Sequence, residues 1–209
     1  MTSIGKMKTS TFAAAFLFGS VLALPAPVPD NEADDKPKCV KPKEAEKFVD
    51  RYIGFLSRAG SDLGDAHATG EALAGDDIEL HSFSINSAKG TPVNGNGDGL
   101  ISKGKEDYIN NVWGTHALPP QGIHTLSALA ACDDGNSKII WQWQFDSVGG
   151  NTDNPAPIRG FTLFSVVRDD GPAEFKIEKV DVEFDSIAWA ADLKGSSGQQ
   201  PAPQHGYQS

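Results

Sequence analysis

Cysteine is scarce in this chain. Two occur in 209 residues, Cys39 and Cys132, neither in a CxxC, and no HExxH is present. Common zinc frameworks need more ligands at close spacing, so no metal site is expected. An Asn-x-Ser/Thr acceptor is also missing, since Asn86, Asn136 and Asn151 all fail the spacing. No segment beyond the N-terminal region approaches the ~20 apolar residues of a membrane-spanning helix. Basic runs are absent too, and 28 Asp and Glu against 18 Lys and Arg leave a formal charge of −10. Neutralising phosphates takes clustered Lys and Arg, so neither nucleic acid nor an anionic membrane is expected as a partner. Nothing calls for a cofactor, and none is expected.

What is present begins with Lys6 and Lys8, an apolar run from Thr11 to Leu24 and the small-residue site Val21-Leu22-Ala23. This pattern reads as a signal peptide over residues 1–23, cut after Ala23, and it places the mature chain outside the cell. Residues 24–38 are rich in Pro, Asp and Glu and read as a flexible arm. In an exported protein an even pair of cysteines closes a disulfide. Bridging Cys39 to Cys132 clamps the segment before the first helix onto the end of a strand. In the chain-entropy model such a loop contributes roughly 4–5 kcal/mol.

One domain is expected over residues 39–193. Pro42 suits the first turn of a helix in which Ala45, Phe48, Val49, Tyr52, Leu56 and Ala59 recur at helical spacing, and Gly60 ends it. Ser61–Ala74 predicts a shorter helix interrupted by Gly64 and Gly70. IELHSFSI predicts a strand with Ile78, Leu80 and Ser82 opposite Glu79, His81 and Phe83. In the loop that follows, Asn94, Asn96, Asp98, Gly99 and Ile101 match positions of a calcium-binding EF-hand loop, but Lys105 stands where the bidentate carboxylate belongs. A polar turn is the better reading. Ser102 is placed to cap a third helix carrying Tyr108, Ile109, Val112 and Trp113.

IHTLSALAA then predicts a strand, and a three-strand meander fills Lys138–Trp189. Ile139, Trp141, Trp143 and Phe145 share one face of its first strand. The second strand has apolar residues of both parities, which marks a central position. In the third, Phe175 and Ile177 have one parity and Val180, Val182 and Phe184 the other, so a bulge near Glu178–Lys179 is expected to curve the sheet. Residues 194–209 have no core pattern and read as a disordered tail.

The helix EAEKFVDRYIGFL, the helix KEDYINNVWG, and IRGFTLFSVV followed by EFKIEKVDVEFDSIAW resemble the nuclear transport factor 2-like superfamily. Ketosteroid isomerase, scytalone dehydratase and the SnoaL-like polyketide cyclases share its cone-shaped fold. The signal peptide is similar to that of secreted members in filamentous fungi. The resemblance implies an α+β protein in which a curved mixed or antiparallel sheet wraps about three N-terminal helices as a cone-shaped α+β barrel. It also implies a conical cavity used for binding a small apolar molecule or for acid–base chemistry. No catalytic residues carry over by position.

Two sets of residues answer to those uses. Tyr52, Trp113, Trp141, Trp143 and Phe161 are candidate walls of an apolar ligand pocket, with core filling as the plain alternative. His81, as proton acceptor, and Asp181, as its partner, are the candidate catalytic pair of a cofactor-independent lyase or isomerase. The plain alternative is a solvated sheet face, because Asp181 and Glu183 alternate with Val180, Val182 and Phe184. A binding or interaction module without catalysis is the favoured function, and a homodimer formed through a sheet face is the expected protein partner.

Overall fold

The computed structural model describes residues 39–90, 97–114, 119–133, 135–148 and 157–197. The expected signal peptide, the arm and most of the expected tail lie outside these residues.

Helix α1 (Pro42–Leu56) starts where Pro42 presets the backbone, and the Lys41 N–H donates to the Glu44 carboxylate at 2.7 Å. Its buried stripe is Ala45, Phe48, Val49, Tyr52 and Phe55. The chain doubles back over Gly54, whose carbonyl accepts from both Ala59 and Gly60. Any side chain at Gly54 would strike the Gly60 carbonyl. Asp65 caps α2 (Ala66–Leu73) by accepting from the Ala68 N–H at 2.8 Å. Gly70 does not interrupt this helix. Its bare Cα lies against the Phe55 ring and lets α1 and α2 approach closely.

Strand β1 (Ala74–His81) stops earlier than its alternation predicts, because the Ser82 hydroxyl accepts from the Ile85 N–H at 2.9 Å and starts a short helix, α3 (Phe83–Ala88). Ser102 likewise departs from expectation. It lies buried in a short strand, β2 (Leu100–Lys103), opposite Leu80, and does not cap the next helix. Gly104, at φ 89°, makes the turn into α4 (Lys105–Gly114). Strands β3 (His124–Asp133), β4 (Asn136–Phe145), β5 (Ile158–Arg168) and β6 (Phe175–Phe184) follow. The β6 strand ends at Phe184, short of Trp189, because the Asp185 carboxylate accepts from the N–H groups of Ile187 and Ala188 and starts α5 (Ser186–Ser197). This helix crosses Leu193, the expected domain edge.

Among the described residues six strands form one mixed sheet in the order β2-β1-β6-β5-β4-β3, in which only β1 and β6 run parallel. The sheet is not closed into a barrel, with β2 and β3 at its edges, and among the described residues five helices accompany it. Opposite Ser165 and Val166, β6 skips Glu178, the bulge that the parity change in β6 predicts. Inward residues of β4, β5 and β6 meet α1, with Phe48 and Tyr52 edge-on to Phe164 at 5.1 and 4.6 Å between ring centres. The Cys39–Cys132 disulfide forms, with Cα atoms 5.8 Å apart, and ties the entry to α1 to the end of β3.

Candidate ligand cavity

Large side chains on the inner face of the sheet do not fill all the space beneath α1 and α5. A cavity of about 70 Å³ remains between them. The sheet contributes Trp141, Trp143 and Phe145 from β4, Thr162 from β5, Val182 and Phe184 from β6, and Leu80 from β1. Tyr52, Leu56, Ile85, Val112 and Trp189 from the helices close the rest together with Pro120. Each strand presents alternate residues to one side, so this wall is the period-2 pattern of four strands read together.

The polar atoms of the wall are directed into hydrogen bonds. The Trp143 Nε1–H donates to the Thr162 hydroxyl at 3.0 Å, and the Trp141 Nε1–H donates to the Thr125 hydroxyl at 3.0 Å. Tyr52 and Tyr108 share a hydrogen bond of 2.9 Å between their hydroxyls. Burial pushes the Tyr52 phenol up to about 12, against the opposing effect of the Tyr108 bond, and raises Tyr108 well above its usual value. Both phenols are therefore neutral across the physiological range. Among the described residues, no Asp, Glu, His, Lys or Arg lines the cavity.

Of the five expected walls, Tyr52, Trp141 and Trp143 line this space. Trp113 does not. It packs outside against Phe55 and His67, and its Nε1–H donates to the Phe55 carbonyl at 3.4 Å. Phe161 is also misplaced by the expectation, lying on the outer face of β5 with 54 % of its surface exposed. Both parities of β5 are apolar, so alternation alone does not orient it. Gly160 carries the missing signal. A Cβ there would stand 2.5 Å from the Trp143 ring, so positions of its parity face inward. Phe184 and Trp189 were hidden differently, because FDSIAW read as a strand end whereas Asp185 turns the chain into α5.

His81 and Asp181 are register partners across β1 and β6, yet they do not line the cavity. Ile78, Leu80, Val180 and Val182 take the inward parity and leave His81 and Asp181 on the outer face. There His81 Nε2 lies 3.1 Å from Glu79 Oε2, and Nδ1 lies 3.0 Å from the Asp98 carbonyl. Both ring nitrogens are thus engaged with neighbouring oxygen atoms on the outer face. The Lys103 ammonium, and then His81, hold the Glu79 carboxyl below its usual range. Asp181 pairs with Lys179 at 2.8 Å. Among the described residues, no three His, Cys, Asp or Glu side chains cluster so as to hold a metal.

A family model described as the NTF2-like domain matches residues 38–196. No curated protein matches. Among solved structures, an NTF-2 like protein of unknown function from Silicibacter pomeroyi is 12% identical, over 68% of this chain and 94% of that one, with a TM-score of 0.41. A hypothetical protein from Catenulispora acidiphila with a ketosteroid isomerase-like fold, solved in complex with trimethylamine, is 16% identical over 74% and 98%, at 0.45. The CaMKII hub of S. rosetta is 9% identical over 71% and 99%, at 0.46.

Proposed function

Because this chain belongs to the NTF2-like domain family, we propose that it binds a small, largely apolar molecule in the cavity under its sheet and performs no proton transfer on it. The chemistry of the wall supports this reading: aromatic and aliphatic surfaces with hydrogen-bonded polar atoms and, among the described residues, no acid or base that titrates near neutrality. At about 70 Å³ the cavity is about half the roughly 150 Å³ of an engineered apolar cavity that takes benzene. Its occupant is therefore small, or it displaces a wall residue. Native mass spectrometry of protein isolated from its own source, with identification of any retained molecule, tests the reading. Protein that carries nothing and takes up no small apolar probe would sink it.

The catalytic alternative, a cofactor-independent lyase or isomerase using His81 and Asp181, needs both side chains at a substrate. Their outer-face position argues against it. His81→Ala is expected to leave probe binding unchanged.

For the outer face of the sheet we favour a second copy of this chain. Leu129 and Phe161 are 55% and 54% exposed there, and Leu129, Ile140 and Leu163 form one row across β3, β4 and β5. A contiguous apolar patch of this kind marks an association surface. Sedimentation should show a dimer that Phe161→Asp converts to monomer. A wild-type monomer at high concentration would remove this reading.

We also place the protein outside the cell, a reading supported by the N-terminal apolar leader and by the Cys39–Cys132 bridge. N-terminal sequencing of protein from the medium should begin after Ala23. A cell-retained product that still carries residues 1–23 would overturn it.

A further inference from the structure

Behind the part of the cavity wall made by Ile85, Phe184 and Trp189 lies a second space of about 50 Å³, completed by Ala88 and Lys89 at the end of α3 and by Leu193 of α5. Lys89 is the one charged residue among the described residues that line either space. It is exposed, so it stands where the second space meets solvent, its methylene stem against the apolar wall and its ammonium in water. Lys47, Lys103, Lys105 and Lys179 are each paired with a carboxylate. Among the described residues the Lys89 ammonium has no such partner. The carboxylates on the elements around it are committed elsewhere. Glu183 accepts from the Phe83 and Ser84 N–H groups at 2.7 and 3.0 Å, and Asp192 of α5 accepts from the Ser147 hydroxyl and the Val148 N–H at 2.9 and 2.6 Å.

Resting on the proposed binding role, we infer that the occupant is a short, unbranched aliphatic carboxylate whose head pairs with the Lys89 ammonium and whose chain runs past Trp189 toward Trp141 and Trp143. Two apolar spaces in line with one cation at the outer end match a molecule that is apolar along its length and anionic at one end. The wall residue that yields to the chain is Trp189, because its side chain faces both spaces. A carboxylate at the exposed end keeps most of its water, so the desolvation cost that bars a charge from the inner cavity does not arise. A hydrocarbon gains nothing from Lys89, and an organic cation is repelled there. A fused or branched skeleton does not pass between Trp189, Phe184 and Ile85, whereas a single methylene chain is the most slender apolar shape available.

Octanoate, octan-1-ol and octylammonium share a chain and differ in the head, and toluene reports the inner cavity alone. Binding of each is measured by titration calorimetry to the wild type, Lys89→Gln, Lys89→Glu and Lys43→Gln. Lys89→Gln is expected to weaken octanoate about two- to fivefold, the worth of an exposed ion pair, and to leave octan-1-ol and toluene unaffected. Lys89→Glu should weaken octanoate further and strengthen octylammonium. Lys43, exposed on α1, lines neither space, so Lys43→Gln should change none of them. In wild-type protein, affinity should rise about fourfold for each methylene added between butanoate and octanoate. The indole N–H resonance of Trp189, assigned through Trp189→Phe, should shift when octanoate binds.

Any of these results overturns the inference: Lys89→Gln changes octanoate and octan-1-ol alike or changes neither, Lys43→Gln costs octanoate as much as Lys89→Gln, affinity does not grow with chain length, or the Trp189 resonance stays in place. If toluene binds and octanoate does not, the inference falls while the binding role stands. If no probe binds, both fall.

Discussion

Tyr52 and Tyr108 are held neutral by burial, and that state has a stability consequence with a definite sign. The Tyr52 phenol is raised from its usual value near 10 to about 12 in the folded protein. Below pH 10 both folded and unfolded chains keep this proton, and its contribution to stability is fully present. Above pH 10 the unfolded chain releases the proton while the folded chain holds it, so stability falls as pH rises toward 12. The slope is about 1.4 kcal/mol per pH unit for each such group. Denaturant melts between about pH 9 and pH 12 should therefore steepen in loss above 10, and Tyr52→Phe should flatten the curve. Probe binding, by contrast, should be level from about pH 5 to pH 9, because no described wall residue titrates there. A bell-shaped profile would point to an acid–base pair outside the described wall residues.

At the scale of elements, two contacts determine how large the cavity is. Gly160 lets β5 pass beneath the Trp143 ring, and an added Cβ would also come within 2.7 Å of the Glu183 carbonyl, which is backbone and cannot rotate away. Gly160→Ala is expected to cost about 1–3 kcal/mol in a urea melt, as overpacking does, and to weaken probe binding by tilting Trp143. Helix α5 acts on the opposite side. Trp189 is buried, packs tilted against Phe184 with ring centres 4.4 Å apart, and with Phe184 and Ile85 separates the main cavity from a smaller one of about 50 Å³. Trp189→Ala should cost about 3–5 kcal/mol and merge the two spaces. The variant should then bind bulkier apolar probes that the wild type excludes. Unchanged size selectivity would show that α5 does not limit the space.

Over the whole domain the longest constraint is covalent. The Cys39–Cys132 bridge spans 93 residues and includes α1 through β3 in its loop. Beside it, the Val40 N–H donates to the buried Ser137 hydroxyl at 3.1 Å, so the same corner is also closed by a hydrogen bond. Cys39→Ser with Cys132→Ser is expected to lower stability by about 4–5 kcal/mol in the chain-entropy picture. The lower thermal midpoint should be matched by reduced wild-type protein. A smaller loss would mean that packing of α1 against β4 and β5 already holds the corner.

Much of this molecule is determined by local sequence. Pro42 and the spacing of Phe48, Tyr52 and Phe55 make α1. The alternation of Trp141, Trp143 and Phe145 makes the inner face of β4, and the parity change in β6 makes the bulge at Glu178. These features depend on backbone preference and on period, both of which are properties of neighbouring residues. Which apolar parity of β5 turns inward, which face of β1 carries His81, and whether FDSIAW extends a strand or turns into a helix were decided only in three dimensions. Burial depends on what covers a surface, and here the cover comes from α1 and α5, more than a hundred residues apart in the chain. The space between those helices is a product of that packing.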